Sequence, residues 1–154
     1  MPRELSGKGA EPTPVARGNP SVLVIDHDLA LLHSLVALFK AHRISITTAR
    51  DGAEGLKLFR RISPAVVLMD VVVPTQDGID TIMQMRLERP GVKIIAMSRG
   101  GCIGHKPILD IAHKLGANAA LRKPFDASEI IAMICGMLDV LPSTAAELHR
   151  LEDS

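Results

Sequence analysis

The chain has only two cysteines in 154 residues, Cys102 and Cys135, and neither stands in a Cys-x-x-Cys pair or a Cys/His cluster with zinc spacing. That argues against a disulfide framework and a structural zinc site, and both residues are expected to be unpaired, intracellular thiols. Charge of one sign is also lacking: 18 Lys and Arg stand against 17 Asp and Glu, for a formal net charge of +1. Such a balance gives no field to hold nucleic acid or an anionic membrane, so neither is an expected partner, and DNA binding would need an appended module. No apolar run approaches the roughly 20 residues that span a bilayer, and the first residues lack the basic-then-apolar pattern of a secretory signal. A cytoplasmic location is expected by default.

What is present is enough apolar sequence, 47% of the chain, for one ordinary domain with a core. Residues 1–20 carry Pro2, Pro12, Pro14 and Pro20 with Gly7, Gly9 and Gly18 and few periodic apolar positions, and read as a flexible leader. Residues 21–141 read as the domain, and 142–154 as a short polar tail. Within the domain, apolar strands at 22–25, 44–49, 65–69, 93–97 and 119–122 alternate with helical patterns. The first helix, "DLALLHSLVALFKAH", places Leu32, Leu35, Val36 and Phe39 on one face, and "DGAEGLKLFRRI", "DGIDTIMQMRLER", "PILDIAHKLGA" and "DASEIIAMICGMLDVL" supply four more. Helices of this length suit right-handed crossovers between parallel neighbours. The expected fold is a doubly wound α/β domain, a five-stranded parallel sheet with five helices.

In such sheets the site lies beyond the carboxyl ends of the strands, so the residues at each strand's end are informative. The first, in "VLVIDHDLALL", ends in Asp26, His27 and Asp28; the third ends in Asp70, the fourth in Ser98, and the fifth in Lys123 before Pro124. Singly these have dull readings: Asp28 caps the first helix, Ser98 ends a strand, Lys123 is solvated at a turn. Jointly they gather carboxylates, which repel unless a cation shares the site, and hard oxygens suit Mg²⁺. A lysine and a hydroxyl beside them suit a phosphoryl group. The constellation reads as phosphoryl transfer onto Asp70 or Asp26. His33, His42, His105 and His113 have no metal spacing, and the glycine-rich "SRGGCIGHKP" reads as a mobile approach to the fourth helix that lacks a P-loop ending.

Residues 21–141 resemble the response-regulator receiver domain of bacterial two-component signalling, of flavodoxin-like (CheY-like) fold and here of the stand-alone type. "VVLMDVVVPTQDG" is similar to the family's phosphoacceptor segment at Asp70, Pro74, Asp77 and Gly78, with Val73 where Met is common. "LRKPF" is similar to its Lys-Pro-aromatic segment, whose proline usually comes after a cis bond, and Ser98 takes its Ser/Thr position. The resemblance implies that Asp70 takes a phosphoryl group from a sensor histidine kinase, a histidine phosphotransfer protein or a small phosphodonor. Mg²⁺ would be held by Asp26, Asp70 and the Val72 backbone carbonyl. Ser98 and Lys123 would contact the phosphoryl oxygens and bias the face of the fourth helix, fifth strand and fifth helix, where a downstream protein docks. The chain would be no enzyme beyond catalysing its own phosphorylation and dephosphorylation.

Three positions depart from the family. His27 replaces the second of two consecutive acids, usually a metal ligand, and imidazole suits softer ions better than Mg²⁺. It would shift preference toward Mn²⁺, or pair with Asp70 when protonated, or turn aside and leave Asp28 or water to fill the gap. Ala120 replaces a common switch aromatic, and the chain has no Tyr or Trp. Arg99 replaces a small residue and would narrow access or extend into solvent. Together these also motivate a phosphorylation-independent pseudo-receiver. The Asp26-x-Asp28 pair is similar, in addition, to the nucleophile motif of haloacid-dehalogenase-type phosphatases, although Ala30 departs from that pattern.

Overall fold

A computed structural model describes residues 21–72 and 77–139. The elements in chain order are β1 (Ser21–Ile25), α1 (Leu29–Ala41), β2 (Ser45–Ala49), α2 (Gly52–Ile62), β3 (Val66–Asp70), α3 (Asp77–Glu88), β4 (Lys93–Ser98), β5 (Cys102–Ile103), β6 (Lys106–Pro107), α4 (Ile108–Leu115), β7 (Ala119–Arg122) and α5 (Ala127–Leu138). Five strands form one parallel sheet in the order β2-β1-β3-β4-β7.

Successive strand side chains point to opposite faces, and both faces are covered, so the central strands are apolar at every position except their ends. Leu23, Ile25, Val67, Met69, Ile94 and Ala96 pack with Phe59 of α2, Ile79, Ile82 and Met85 of α3, and Ile108 and Ala112 of α4. Val22, Val24, Val66, Leu68, Ile95 and Met97 pack with Leu32, Leu35 and Phe39 of α1 and Ile130, Ile131 and Ile134 of α5. Helices therefore lie on both faces, as the alternating pattern requires. The chain runs from β1 out to β2 and returns to β3 on the far side of β1. That reversal opens a crevice at the carboxyl ends of β1 and β3.

Expected strand bounds hold to within a residue, and Val36 on α1 is half-buried rather than core. The glycine-rich segment differs more. It folds into a two-stranded antiparallel hairpin, with Cys102 paired to Pro107 and Ile103 to Lys106. Gly100, Gly101 and Gly104 all take positive φ, of 119°, 108° and 66°, which lets the chain turn that tightly. Two-residue strands carry no readable periodicity. The expected leader, tail, Val73 and Pro74 lie outside the described residues.

Side-chain clamps fix the helices. The Arg86 guanidinium of α3 donates to the carbonyls of Gly116, Pro90 and Val92 and to Asn118 Oδ1, tying the amino-terminal edge of the sheet together. Arg60 of α2 donates to both carboxylate oxygens of Glu88 at the end of α3, at 2.9 and 2.5 Å. The hydrogen bond from Arg60, aided by one from Gln84, lowers the Glu88 pKa to about 2.

Packing and pairing are each open to test. Phe39→Ala removes a fully buried ring between α1 and the sheet and is expected to cost about 3–5 kcal/mol in urea unfolding. Glu88 has a depressed folded pKa, so its contribution is present above the unfolded carboxylate value and lost as pH falls toward 2. Carboxyl NMR titration should place Glu88 well below its ordinary range and return it there in Arg60→Met; an unmoved Glu88 would show that Arg60 is not the cause.

Candidate functional site

The Asp-His-Asp step after β1 performs three separate tasks. The Asp26 N-H donates to Ala49 O at 3.0 Å, which keeps the residue in register with β2 and turns its carboxylate inward, where it is 1% exposed. Its Oδ1 accepts from the Asp28 N-H at 2.9 Å, closing a turn. Asp28 Oδ1 in turn accepts from Ala30 N (3.0 Å) and Leu31 N (3.2 Å) and caps α1, as its position suggested. His27 lies between them and faces outward.

Asp70 is the last residue of β3, buried, with its Cα paired to Met97. Lys123 leaves β7 with its N-H donating to Ser98 O at 2.8 Å, and the Lys123–Pro124 peptide is cis. Its Nζ donates to Asp26 Oδ2 at 2.5 Å and Asp70 Oδ1 at 2.9 Å. A buried carboxylate pair carries two like charges, and the ammonium neutralises one of them. One net negative charge is left facing the opening.

At that opening the His27 ring, 72% exposed, has Nδ1 3.5 Å from Asp70 Oδ2 and 3.7 Å from Asp26 Oδ1. The ring has not turned aside. The two carboxylates and the imidazole offer ligand atoms within 4.8 Å of one another, the one metal-compatible group among the described residues. Each carboxylate thus gives one oxygen to Lys123 and turns the other toward His27. Two hard oxygens and one nitrogen fit a divalent cation. Val72 lines the same cavity, with Asp51, Asp77 and Gly78.

Ser98 is buried but is not joined to the carboxylates: its Oγ accepts from Gly100 N (2.9 Å) and donates to Gly100 O (3.2 Å). Arg99 is exposed, with Nη2 3.8 Å from Asp28 Oδ2. Ala120 is also exposed and borders a separate hollow lined by His105, Lys106, Pro107 and His113. His42 Nδ1 pairs with Leu38 O and faces no metal group. Sequence reasoning missed two contributors. Arg50 lines the opening, and its signal was a charged residue directly after β2. Gly78, read only as part of a motif, lets α3 approach so closely that a Cβ there would lie 2.7 Å from Asp70 O.

Comparison with known proteins agrees with this fold. The family model for the response regulator receiver domain matches residues 22–135. Among curated proteins, the probable transcriptional regulatory protein TcrX of Mycobacterium tuberculosis is 28% identical over 124 residues, 80% of this chain and 52% of that protein. Response regulator MprA of Mycobacterium leprae is 30% identical over 128 residues, 82% of this chain and 54% of that one. The chain spans about half the length of the curated relatives it matches. Among solved structures, a CheY-like receiver domain protein from Methanospirillum hungatei superposes with a TM-score of 0.72 at 22% identity, covering 79% of this chain and 95% of that one. The receiver domain of the Francisella response regulator 1452 gives 0.69 at 27%, covering 79% and 98%. Among the described residues no helix is long and apolar enough to cross a membrane. With a family match running from β1 into α5, and acids and a lysine meeting at the carboxyl edge of its sheet, the chain belongs to the response regulator receiver domain family of two-component signalling.

Proposed function

We propose that Asp70 accepts a phosphoryl group from the phosphohistidine of a sensor histidine kinase or a histidine phosphotransfer protein. The unit spanning residues 21–141 would then signal through phosphorylation-dependent contact with another protein. The observation that carries this reading is the position of Lys123, which binds one oxygen of Asp70 and leaves Oδ2 turned to the opening. A carboxylate oriented in this way has its nucleophilic oxygen in reach of a donor and its other oxygen charge-compensated. Lys123 is then placed to take charge from the phosphoryl oxygens, as an ammonium does in phosphoryl transfer. Ser98 would reach the same oxygens only after giving up its bonds to Gly100, and that exchange would pull on the segment before α4. The face of α4, β7 and α5 would carry the change to a partner.

Asp26, Asp70 and the Val72 carbonyl would hold Mg²⁺, with His27 as an added donor that favours Mn²⁺. A bound divalent ion supplies neutralisation of charge on the transferring group. The nearness of the His27 ring to both carboxylates supports a donor or pairing role over one turned to solvent. A phosphatase using Asp26 is not favoured, because that carboxylate is buried and accepts bonds on both oxygens while Asp28 caps α1.

Intact mass after incubation with phosphoramidate should show a single phosphoryl adduct that Asp70→Asn abolishes. Adduct formation should be faster with Mn²⁺ than with Mg²⁺, and His27→Asp should reverse that order. Absence of any adduct under all metal conditions would favour the pseudo-receiver. Stability should report the charge count separately. Lys123→Met leaves two buried carboxylates without a cation and is expected to cost about 3–5 kcal/mol. Asp70→Asn leaves one acid and one lysine and should be neutral or stabilising in the same denaturation assay.

A further inference from the structure

Of the four buried polar side chains among the described residues, Asp26, Asp70 and Lys123 meet one another, while Ser98 turns away. Its hydroxyl uses both of its hydrogen-bonding roles on Gly100, accepting from N and donating to O. Whatever holds Gly100 therefore decides whether the hydroxyl is free. Gly100 is held from outside. Its φ is 119°, and a Cβ there would lie 3.2 Å from Arg122 Nη2, 3.5 Å from Cζ and 3.7 Å from Nε. The guanidinium thus lies against the side of Gly100 where another residue would carry its side chain.

Strand register explains how Arg122 comes to be there. Its Cα pairs with Ser98 of β4, and the next residue, Lys123, donates its N-H to Ser98 O at 2.8 Å. Alternation along β7 buries Leu121 and sends Arg122 outward with Ala120. Ala120 borders a hollow of about 420 Å³, so no bulky side chain at that position wedges the guanidinium in place, and it has room to move away. Beyond Gly100, the N-H of Ile108, the first residue of α4, donates to Gly101 O at 2.9 Å, so a shift of Gly100 is passed directly to α4.

We infer that Arg122 is a positioning residue for Ser98: by covering Gly100 it keeps the hydroxyl in its bonds to that residue, and the hydroxyl is released when the guanidinium moves off. The inference rests on the reading that Ser98 meets the phosphoryl group on Asp70. Amide hydrogen exchange by NMR tests the contact at Gly100, whose N-H reports the bond to Ser98, with the Val71 N-H, bonded to Met97 O, as control. Wild type is compared with Arg122→Ala, Arg122→Lys, Ser98→Ala and the Arg122→Ala/Ser98→Ala pair. Loss of the guanidinium should speed Gly100 exchange about three- to tenfold, as for residues coupled by direct contact. The effect should be the same in Arg122→Lys, which keeps the charge, should leave Val71 unchanged, and should vanish once Ser98 is alanine. An unchanged Gly100, an equal acceleration without the hydroxyl, one shared by Val71, or one that Arg122→Lys lacks overturns the inference. Intact mass with phosphoramidate reads the consequence: the initial rate of adduct formation should rise by a similar factor in both Arg122 variants, and an unchanged or lower rate in either overturns it. If no variant forms an adduct, the acceptor reading has failed, and the exchange result still decides whether Arg122 holds Gly100 and, through it, Ser98.

Discussion

The contact on which the site depends is the ammonium of Lys123 between the carboxylates of Asp26 and Asp70. Three strands that are far apart in sequence, β1, β3 and β7, end at this one point. Burying two acids side by side is unfavourable without a cation, and a lone buried lysine is equally so; together they leave a single net charge that the opening exposes to solvent. The sheet order then has a functional logic. The reversal between β1 and β3 sets the two acids next to each other, and the return of the chain to β7 brings the lysine across β4.

The surrounding packing keeps that point in place by excluding side-chain bulk. Gly78 lets the first turn of α3 rest on the carbonyl of Asp70, and Gly55 of α2 lies against Ile25, the residue before Asp26, where a Cβ would fall 2.4 Å from its Cδ1. At the opposite edge of the sheet, Arg86 ties α3 to the chain around Gly116 and Asn118. Helix α3 is thus fixed at both ends, by contact with β3 near the site and by hydrogen bonds away from it. The approach to α4 is tied differently, by a short hairpin with positive-φ glycines and by the Ser98 hydroxyl bonded to Gly100.

Much of this was legible in the sequence, for identifiable physical reasons. Strands buried on both faces are apolar throughout, so β1, β3 and β4 stand out from the helices, and polar residues at their ends mark the carboxyl edge. Asp28 as a helix cap is legible from its position before an apolar helical run. Three features were not legible. The β5–β6 hairpin is too short for a period to show. The turn of the Ser98 hydroxyl toward Gly100 depends on backbone angles that composition does not specify. The direction of the His27 ring depends on two carboxylates, one of them more than forty residues away.

Burial also divides the positions that the sequence resemblance singled out. Among the described residues, the buried polar side chains are Asp26, Asp70, Ser98 and Lys123, the four at strand ends on which the sequence resemblance rests. The departures His27, Arg99 and Ala120 are all exposed. A buried charge is constrained by its partners, since changing one leaves the others uncompensated at a cost of several kcal/mol. An exposed side chain at the same opening has no such constraint: His27 and Arg99 belong to neither core cluster. Side chains at the opening can therefore vary while the buried group and the fold that carries it remain as they are.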